Sequence, residues 1–392
     1  VVFTAVTTGN LLVGNGSATT ATFNFATGAF VFANVRDAAG NLVNVATTIY
    51  WYPALPVMGL LTYEAGDINN ETLIGFDTRY AYGYTTNGWE RLAGEVTANA
   101  ATWAGSDAQL FWGTTWISDA QTKIFFVTNF NENETNYMRW YNGTNWDNFR
   151  PTLSVYAAGP PVVWGITLET ARVLVVFKNR LVAFNTFERV TVDNIAFNTY
   201  HYPNRVRYAA IGNPLDASAW RQDVPGKGNF LDAPTTEAIV TVEFIRDRLV
   251  VYFERSTWEL IYTGIQAYPF AWQQINTELG AESTFSVIPF DQVALGIGNV
   301  GIHSCSGTNV QRIDDVIPNE VYRIHNSGSG VFRVYGIRDY FTEVVYWSFP
   351  TDTQSDSTPF PNRVLVFNYK TGTWAFNDDS ITAFGYYYPQ TG

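Results

Sequence analysis

Cysteine and lysine are almost absent from this chain of 392 residues. Cys305 is the only cysteine, so no intrachain disulfide can form, and a secreted scaffold held by disulfides is excluded. The four lysines are Lys123, Lys178, Lys227 and Lys370, and the formal net charge is −12. Because an acidic surface repels phosphate, we do not expect non-specific binding of nucleic acid by a basic face.

Long apolar runs, a signal peptide and helical periodicity are missing as well. No apolar run approaches the roughly 18–20 residues that a membrane-spanning helix needs. Residues 1–10 have neither the basic region of a signal peptide nor an initiator Met, so we expect the chain to be part of a longer polypeptide. Apolar residues rarely recur at helical spacing, and the best helix candidate is 95–111.

Aromatic residues are plentiful, with 13 Trp, 23 Tyr and 28 Phe in the chain. They take part in a repeated pattern, in which a short β-branched strand is followed by a polar turn and then by a Trp that opens the next strand. The copies are 72–92, 138–149, 248–262 and 363–377, and their tryptophans are Trp89, Trp146, Trp258 and Trp374. Strand units that cannot bury their own faces stack on copies of themselves. The sequence therefore predicts an all-β fold, a β-propeller of six to eight blades, in which these tryptophans are packing residues and Trp258 and Trp374 are buried.

The repeat does not extend over the whole chain. Residues 1–56 are rich in Thr, Ala, Asn and Gly, and they predict a small β appendage, an incomplete blade or ring-closing strands, with a hairpin at 31–46. Residues 57–392 are predicted to form the propeller. Its blade-like units lie near 59–95, 105–150, 163–200, 203–232, 237–277, 283–316 and 331–390.

Two motifs resemble functional sites but have simpler interpretations. Residues 296–301, GIGNVG, match the dinucleotide-binding pattern GxGxxG, but no helical pattern follows that could receive a pyrophosphate. We therefore interpret them as a hairpin with glycines at its turn. His303 and Cys305 lie on one face of a strand, but no second pair completes a tetrahedral zinc site, so we expect a half-buried pair without metal.

Carboxylates on predicted strands are the remaining candidates for catalysis. They are Asp247, Glu254, Glu259 and Glu343. A glycosidase needs two carboxylates facing each other across roughly 5–10 Å, which sequence spacing does not establish. We expect these carboxylates to be solvated or paired, and we predict no catalytic residue, cofactor or metal.

Five segments occur in an order that is more specific than a general propeller pattern. They are NRVRYAAIGNPLDASAW (204–220), FIRDRLVVYFERSTWELIYTG (244–264), YPFAWQQINTELGAES (268–283), DQVALGIGNVGIH (291–303) and VQRIDDVIP (310–318). Together they resemble the tail nozzle or hub proteins of short-tailed bacteriophages, also called packaged-DNA stabilisation or tail tubular B proteins. The resemblance covers roughly residues 57–385.

The resemblance implies a structural virion protein of the phage tail, assembled in the host cytoplasm. Its subunits form a ring, usually a hexamer, below the portal and adaptor, and the ring provides the exit channel for double-stranded DNA, retains the packaged genome and anchors other tail or fibre proteins. The family has no catalytic site and no membrane span. Its signature implies framework roles for Arg207, Tyr208, Pro214, Trp220, Asp247, Arg248, Glu254, Arg255, Trp258, Phe270 and Trp272. Arg248 and Arg255 are expected to pair with Asp247 and Glu254.

Two other functions suit a propeller. A carbohydrate-active or carbohydrate-binding protein, sialidase-like or lectin-like, is favoured by the TGTW motif at 371–374 and by the many aromatic residues. An interaction scaffold inside a cell predicts a monomer with a polar outer face.

Overall fold

Antiparallel β-strands make up nearly all the regular structure of the protein. The computed structural model describes residues 3–5, 11–14, 20–24, 29–33 and 55–387, the last range with gaps at 65–70, 86–87, 118–122, 132–136, 158–162, 193–194, 326–332 and 355–359. Within these ranges helical structure is limited to one 3-10 turn, Val321–Arg323, and to Arg333, which is also in 3-10 conformation. No helix in them is long and apolar enough to cross a membrane.

The chain divides into two compact units, residues 1–55 and 56–392. The first unit contains one antiparallel sheet whose four strands follow chain order. Its strands are β1 (Phe3–Ala5), β2 (Leu11–Gly14), β3 (Thr20–Asn24) and β4 (Ala29–Ala33). The turn of the predicted hairpin at 31–46 lies outside the described residues.

The second unit contains six antiparallel sheets, each a meander in chain order. The first two sheets comprise β5 (Gly59–Glu64), β6 (Glu71–Phe76), β7 (Ala81–Thr85) and β8 (Gly88–Arg91), then β9 (Trp112–Ile117), β10 (Lys123–Thr128), β11 (Met138–Tyr141) and β12 (Trp146–Phe149). The third comprises β13 (Thr152–Ala157), β14 (Val163–Phe177), β15 (Arg180–Val192), β16 (Ile195–Tyr208) and β17 (Asn229–Asp232). The fourth comprises β18 (Ile239–Ile245), β19 (Arg248–Phe253), β20 (Thr257–Tyr262) and β21 (Phe270–Asn276). The fifth and sixth comprise β22 (Val287–Pro289), β23 (Ala294–Gly298), β24 (Gly301–Cys305) and β25 (Val310–Arg312), then β26 (Tyr335–Asp339), β27 (Val344–Phe349), β28 (Arg363–Asn368) and β29 (Thr373–Asn377).

The six sheets are the blades of a β-propeller. One inner strand of each sheet contacts the inner strand of the next, in the order β5, β9, β14, β18, β22 and β26. The prediction of an all-β propeller with six to eight blades is confirmed, and the number of blades is six.

A C-terminal segment, residues 381–387, bridges the last blade to the first. The Tyr386 hydroxyl donates a hydrogen bond to the backbone oxygen of Arg338 on β26, at 2.7 Å. The Thr62 hydroxyl on β5 donates to the backbone oxygen of Tyr386, at 3.2 Å. Gly385 lies so close to β5 that a Cβ atom there would be 2.5 Å from the Leu60 Cβ. The ring is therefore closed by this segment.

Two expectations about secondary structure were wrong. The units predicted at 163–200 and 203–232 belong to one blade. Its long strands β15 and β16 pair along most of their length, from Val182 opposite Tyr208 to Val192 opposite Ile195. Residues 95–111 form turns and extended chain instead of a helix, because their apolar residues are fixed by tertiary packing between the first two blades.

The interpretation of 296–301 as a hairpin is confirmed. β23 and β24 pair directly, with Gly298 opposite Gly301 across a two-residue turn. A Cβ atom at Gly298 would lie 2.5 Å from the backbone oxygen of Gly280, so this position requires glycine because the two backbones approach closely.

Aromatic side chains fill the spaces between blades. Between the first and second blades, Phe76 stacks on Phe111 at 4.5 Å between ring centroids, and Trp103 meets Trp146 edge to face at 5.2 Å. Such pairs add to the free energy gained from burying their surface.

The repeated tryptophans do not share one environment. Trp146 and Trp258 are buried, at 0 % and 8 % exposure. Trp89 is 49 % exposed, and Trp374 is only partly buried, stacked on Phe367. Both of these side chains still make packing contacts, Trp374 with the core cluster of the fifth and sixth blades and Trp89 with Tyr84 and the face of Gly75. Their packing role stays a prediction.

We expect Trp258→Ala to lower the free energy of unfolding by about 3–5 kcal/mol, because it empties a packed space between two blades. Trp89→Ala is the matched control, and its loss should be clearly smaller because half of that side chain is already in water. Denaturant unfolding of both variants measures the difference. Equal losses would contradict the assignment of Trp258 to the core.

Candidate functional site

Several residues of the family signature converge between the third and fourth blades. Tyr208, Trp258 and Phe270 belong to one buried cluster, and Trp272 packs against it. Phe270 meets Tyr208 edge to face at 5.2 Å, and Trp258 meets Trp272 at 6.5 Å. These hydrophobic side chains contact one another in the core between two blades, as a framework role requires.

Trp220 lies in a neighbouring cluster with the same character. Its side chain is 2 % exposed and packs against Phe149. Its indole N–H donates a hydrogen bond to the backbone oxygen of Pro214, at 3.0 Å. This bond satisfies the polar atom of a buried ring and fixes the loop that carries the signature proline.

A buried carboxylate, Glu188 on β15, holds the signature residue Arg207. The Arg207 Nε and Nη2 atoms donate to the two Glu188 oxygens at 2.7 and 2.6 Å, which is a bidentate contact. The Arg207 Nη1 atom donates to Gln222 Oε1, at 2.7 Å. Both charged side chains are nearly inaccessible, so Arg207 has no free face for a ligand.

Arg205 extends this network toward the surface. Its Nη1 atom lies 3.3 Å from Glu188, and its Nε and Nη2 atoms donate to Asp232 at 2.7 and 2.9 Å. The rings of Tyr202 and Phe230 lie 3.7 and 3.9 Å from its guanidinium carbon. A planar guanidinium suits both contacts, the carboxylate fork and the aromatic stack, and lysine would not.

The expected pairing of the signature residues in the fourth blade was wrong. Arg248 binds Glu259, at 3.2 Å, instead of Asp247, because Glu259 lies on the adjacent strand β20 whereas Asp247 lies exposed in the turn. Arg255 and Glu254 are both exposed in a turn, and these two described residues form no ion pair with each other.

Most other arginines are also occupied within the protein. Carboxylates bind Arg150, Arg189, Arg221, Arg312, Arg323 and Arg333. Backbone oxygens accept hydrogen bonds from Arg139 and Arg180. Aromatic rings cover Arg91, Arg338 and Arg363. Two of the strand carboxylates that were expected to be solvated or paired, Glu259 and Glu343, form ion pairs with Arg248 and Lys370.

A cavity in the propeller lies beside the closing segment. It has a volume of about 520 Å³ and is lined mostly by aromatic and aliphatic side chains of the sixth blade and of residues 381–387. We call it the aromatic cleft and define it by Tyr340, Phe341, Asn377, Asp379 and Tyr387. No sequence motif marked it, because its parts come from three separate stretches of chain.

A smaller cavity of about 330 Å³ continues the cleft toward the inner strands. It shares Tyr340, Phe384 and Tyr386 with the cleft and includes Glu243 on β18. Burial raises the pKa of Glu243 to about 8, so this carboxyl is mainly protonated at neutral pH. The inner end of the cavity is therefore uncharged at neutral pH.

His303 and Cys305 are fully buried rather than half-buried. Burial lowers the pKa of His303 to about 4 and raises the pKa of the Cys305 thiol, so both groups are neutral at pH 7. No cluster of three or more metal-ligating side chains occurs in the part of the chain that the structure describes.

Comparison with known proteins gives only remote likenesses. No family model matches the chain, and no curated protein matches it. One similar solved structure is the extracellular domain of a protein described as a hybrid two-component system from B. thetaiotaomicron, with a TM-score of 0.31, 8 % identity, and coverage of 94 % of this chain and 53 % of that one. Another is the extracellular domain of a protein described as a one-component system from the same organism, with a TM-score of 0.26, 9 % identity and the same coverage. The chain thus spans about half the length of both, and neither likeness informs its function.

We expect Glu188→Gln to lower the free energy of unfolding by about 3–5 kcal/mol, because it leaves the buried Arg207 guanidinium without its carboxylate. Glu343→Gln is the control, because its ion pair with Lys370 is exposed and its loss should change stability little. Denaturant midpoints at neutral pH measure both effects. If Glu188→Gln were as stable as the control, the buried network would not be structurally important.

We expect His303 to make stability fall as the pH is lowered from 6.5 to 4. The folded-state pKa lies below the ordinary value, so the unfolded chain binds the proton first and acid favours unfolding, by about 3 kcal/mol at most. His303→Met removes this group. The difference in unfolding free energy between the two proteins should therefore vary with pH over this window, and a constant difference would contradict the prediction.

Proposed function

We propose that this protein is a structural subunit of a phage tail nozzle or hub, assembled into a ring through which double-stranded DNA leaves the virion. In this proposal the ring is a homohexamer built in the host cytoplasm, retains the packaged genome and anchors neighbouring tail proteins. It has no enzymatic activity and does not read the DNA sequence. The order of the five segments between 204 and 318 is what suggests this family.

The observation that carries the proposal is that most arginine side chains are bound by other groups of the protein itself. Duplex DNA is bound through contacts between its phosphates and free Lys or Arg side chains. Here lysines are scarce, and most arginines are engaged by carboxylates, backbone oxygens or aromatic rings of the protein itself. With a net charge of −12, the chain offers phosphate mainly carboxylates and amides. A channel wall of this kind lets DNA slide because it does not hold it.

The signature residues support a structural role of the same kind. Arg207, Tyr208, Trp258 and Phe270 are buried between strands or blades, where they hold the propeller together. A rigid propeller suits a ring that withstands the pressure of a packed genome, since its deformation would require separating these aromatic contacts.

The proposal is tested first by the mass of the full chain and its affinity for DNA. Native mass spectrometry should give a species several times heavier than 43.9 kDa. Fluorescence anisotropy with a 30-base-pair duplex at 150 mM salt should give a dissociation constant weaker than about 10⁻⁴ M. A stable monomer, or micromolar binding of DNA, would contradict the proposal.

A charge-reversal variant provides the control for the DNA measurement. Asp247 and Glu278 are exposed, and neither forms an ion pair with another described residue. Asp247→Lys/Glu278→Lys should bind the duplex more tightly and with a steeper dependence on salt, which shows that the assay detects phosphate contacts.

In a reconstruction of the virion the subunit should lie on the tail axis below the adaptor.

A further inference from the structure

We infer that the aromatic cleft binds a short, uncharged oligosaccharide. This site is independent of the proposed ring function, since it needs neither assembly nor DNA. The inference follows from the rings that the cleft exposes, the rigidity of its rim, its free polar groups and the ligands that its charges disfavour.

The first observation is that three exposed aromatic side chains line the cleft. Phe341 is 100 % exposed, and Tyr340 and Tyr387 are each about half exposed. The Tyr340 ring lies 5.7 Å from that of Tyr386, and the Tyr387 ring lies 5.1 Å from that of Tyr84 on the first blade. Exposed aromatic side chains that gather around one cavity are typical of a binding site, because leaving them in water costs free energy.

The second observation is that the rim of the cleft is held in place. Asp339 accepts hydrogen bonds from the backbone N–H of Phe341 at 2.9 Å and from the Thr342 hydroxyl at 2.6 Å. These bonds lower the pKa of Asp339, so the carboxylate stays charged and keeps the turn closed. The backbone that carries Tyr340 and Phe341 is thus fixed before a ligand binds, which reduces the entropy lost on binding.

The third observation is the set of polar groups that remain available. The side chains of Asn377 and Asp379 line the cleft and are exposed, and neither makes a hydrogen bond to another described residue. An amide donates and accepts, and a carboxylate accepts twice. Sugar hydroxyls both donate and accept, and the C–H face of a sugar ring lies flat on an aromatic ring. The cleft combines both contacts, and its volume is in the usual range for small-ligand sites.

The charged and polar groups of the cleft disfavour anionic and wholly apolar ligands. A phosphate or an acidic sugar would be repelled by Asp379 and by a protein of net charge −12. Arg338 is the one cation among the described residues that line the cleft, and the rings of Phe290 and Tyr340 enclose it, at 4.0 and 4.4 Å from its guanidinium carbon. A wholly apolar ligand would displace water from Asn377 and Asp379 without replacing its hydrogen bonds. An uncharged sugar chain meets none of these penalties.

The test uses the full chain and three neutral probes, maltohexaose, cellohexaose and chitohexaose. Saturation-transfer NMR should show contact with at least one of them, and titration calorimetry should then give its affinity. Tyr340→Ala removes an aromatic face and Asp379→Ala removes a hydrogen-bond acceptor, so each should weaken binding at least tenfold. Tyr268→Ala is the control, because Tyr268 is even more exposed than Tyr340 but lies on the fourth blade, and it should leave the affinity unchanged.

Three results would overturn the inference: no binding of any probe, equal affinity in the wild type and both cleft variants, or an equal loss in the control. Binding of the neutral apolar dye Nile red at the cleft without displacement by any probe would instead identify a docking surface for apolar groups, and would also overturn it. None of these results changes the oligomeric mass or the DNA affinity, so the proposed ring function stands or fails separately.

Discussion

Each blade of this protein is stable only because its two faces are covered by its neighbours. Adjacent side chains of a strand point to opposite faces of the sheet. Consecutive residues therefore pack in different seams, a seam being the interface between two adjacent blades. On β10, Phe125 packs between the first and second blades and Phe126 packs between the second and third. On β19, Val250 and Val251 divide in the same way. A blade with apolar surface on both sides cannot stop at an open end, and this requirement forces the sheets into a closed ring.

The packing between blades changes where the sixth blade meets the first, and the aromatic cleft lies beside this junction. Five seams are filled mainly by strands and side chains of adjacent blades, whereas at the sixth the segment 381–387 is inserted between β26 and β5. A single segment fills less space than a sheet does, and the cleft is the space that remains beside it. The buried ion pair of Glu188 and Arg207 lies inside a blade and not between two blades. Within the long third blade the carboxylate and the guanidinium satisfy each other without water.

Sequence reasoning predicted the elements whose signal is local and failed where tertiary packing decides. Strand alternation and glycine turns identified the propeller and the hairpin at 296–301, because both depend on neighbouring residues. Residues 95–111 showed a helix-like pattern, but their apolar residues are held in turns between two blades. The partner of Arg248 could not be predicted, because Glu259 is brought to it by strand pairing. The aromatic cleft was missed for the same reason, since its rings come from distant parts of the chain.

The way the ring closes also determines when it can finish folding during synthesis. A ribosome releases the chain from its N-terminal end, so all six blades emerge before the segment 381–387. Until that segment arrives, Leu60 on β5 lacks the close backbone contact with Gly385, and the flank of the first blade remains open to water. A nascent propeller, or one truncated before residue 381, therefore exposes this flank to other nascent chains, and the segment 381–387 covers it once it is made.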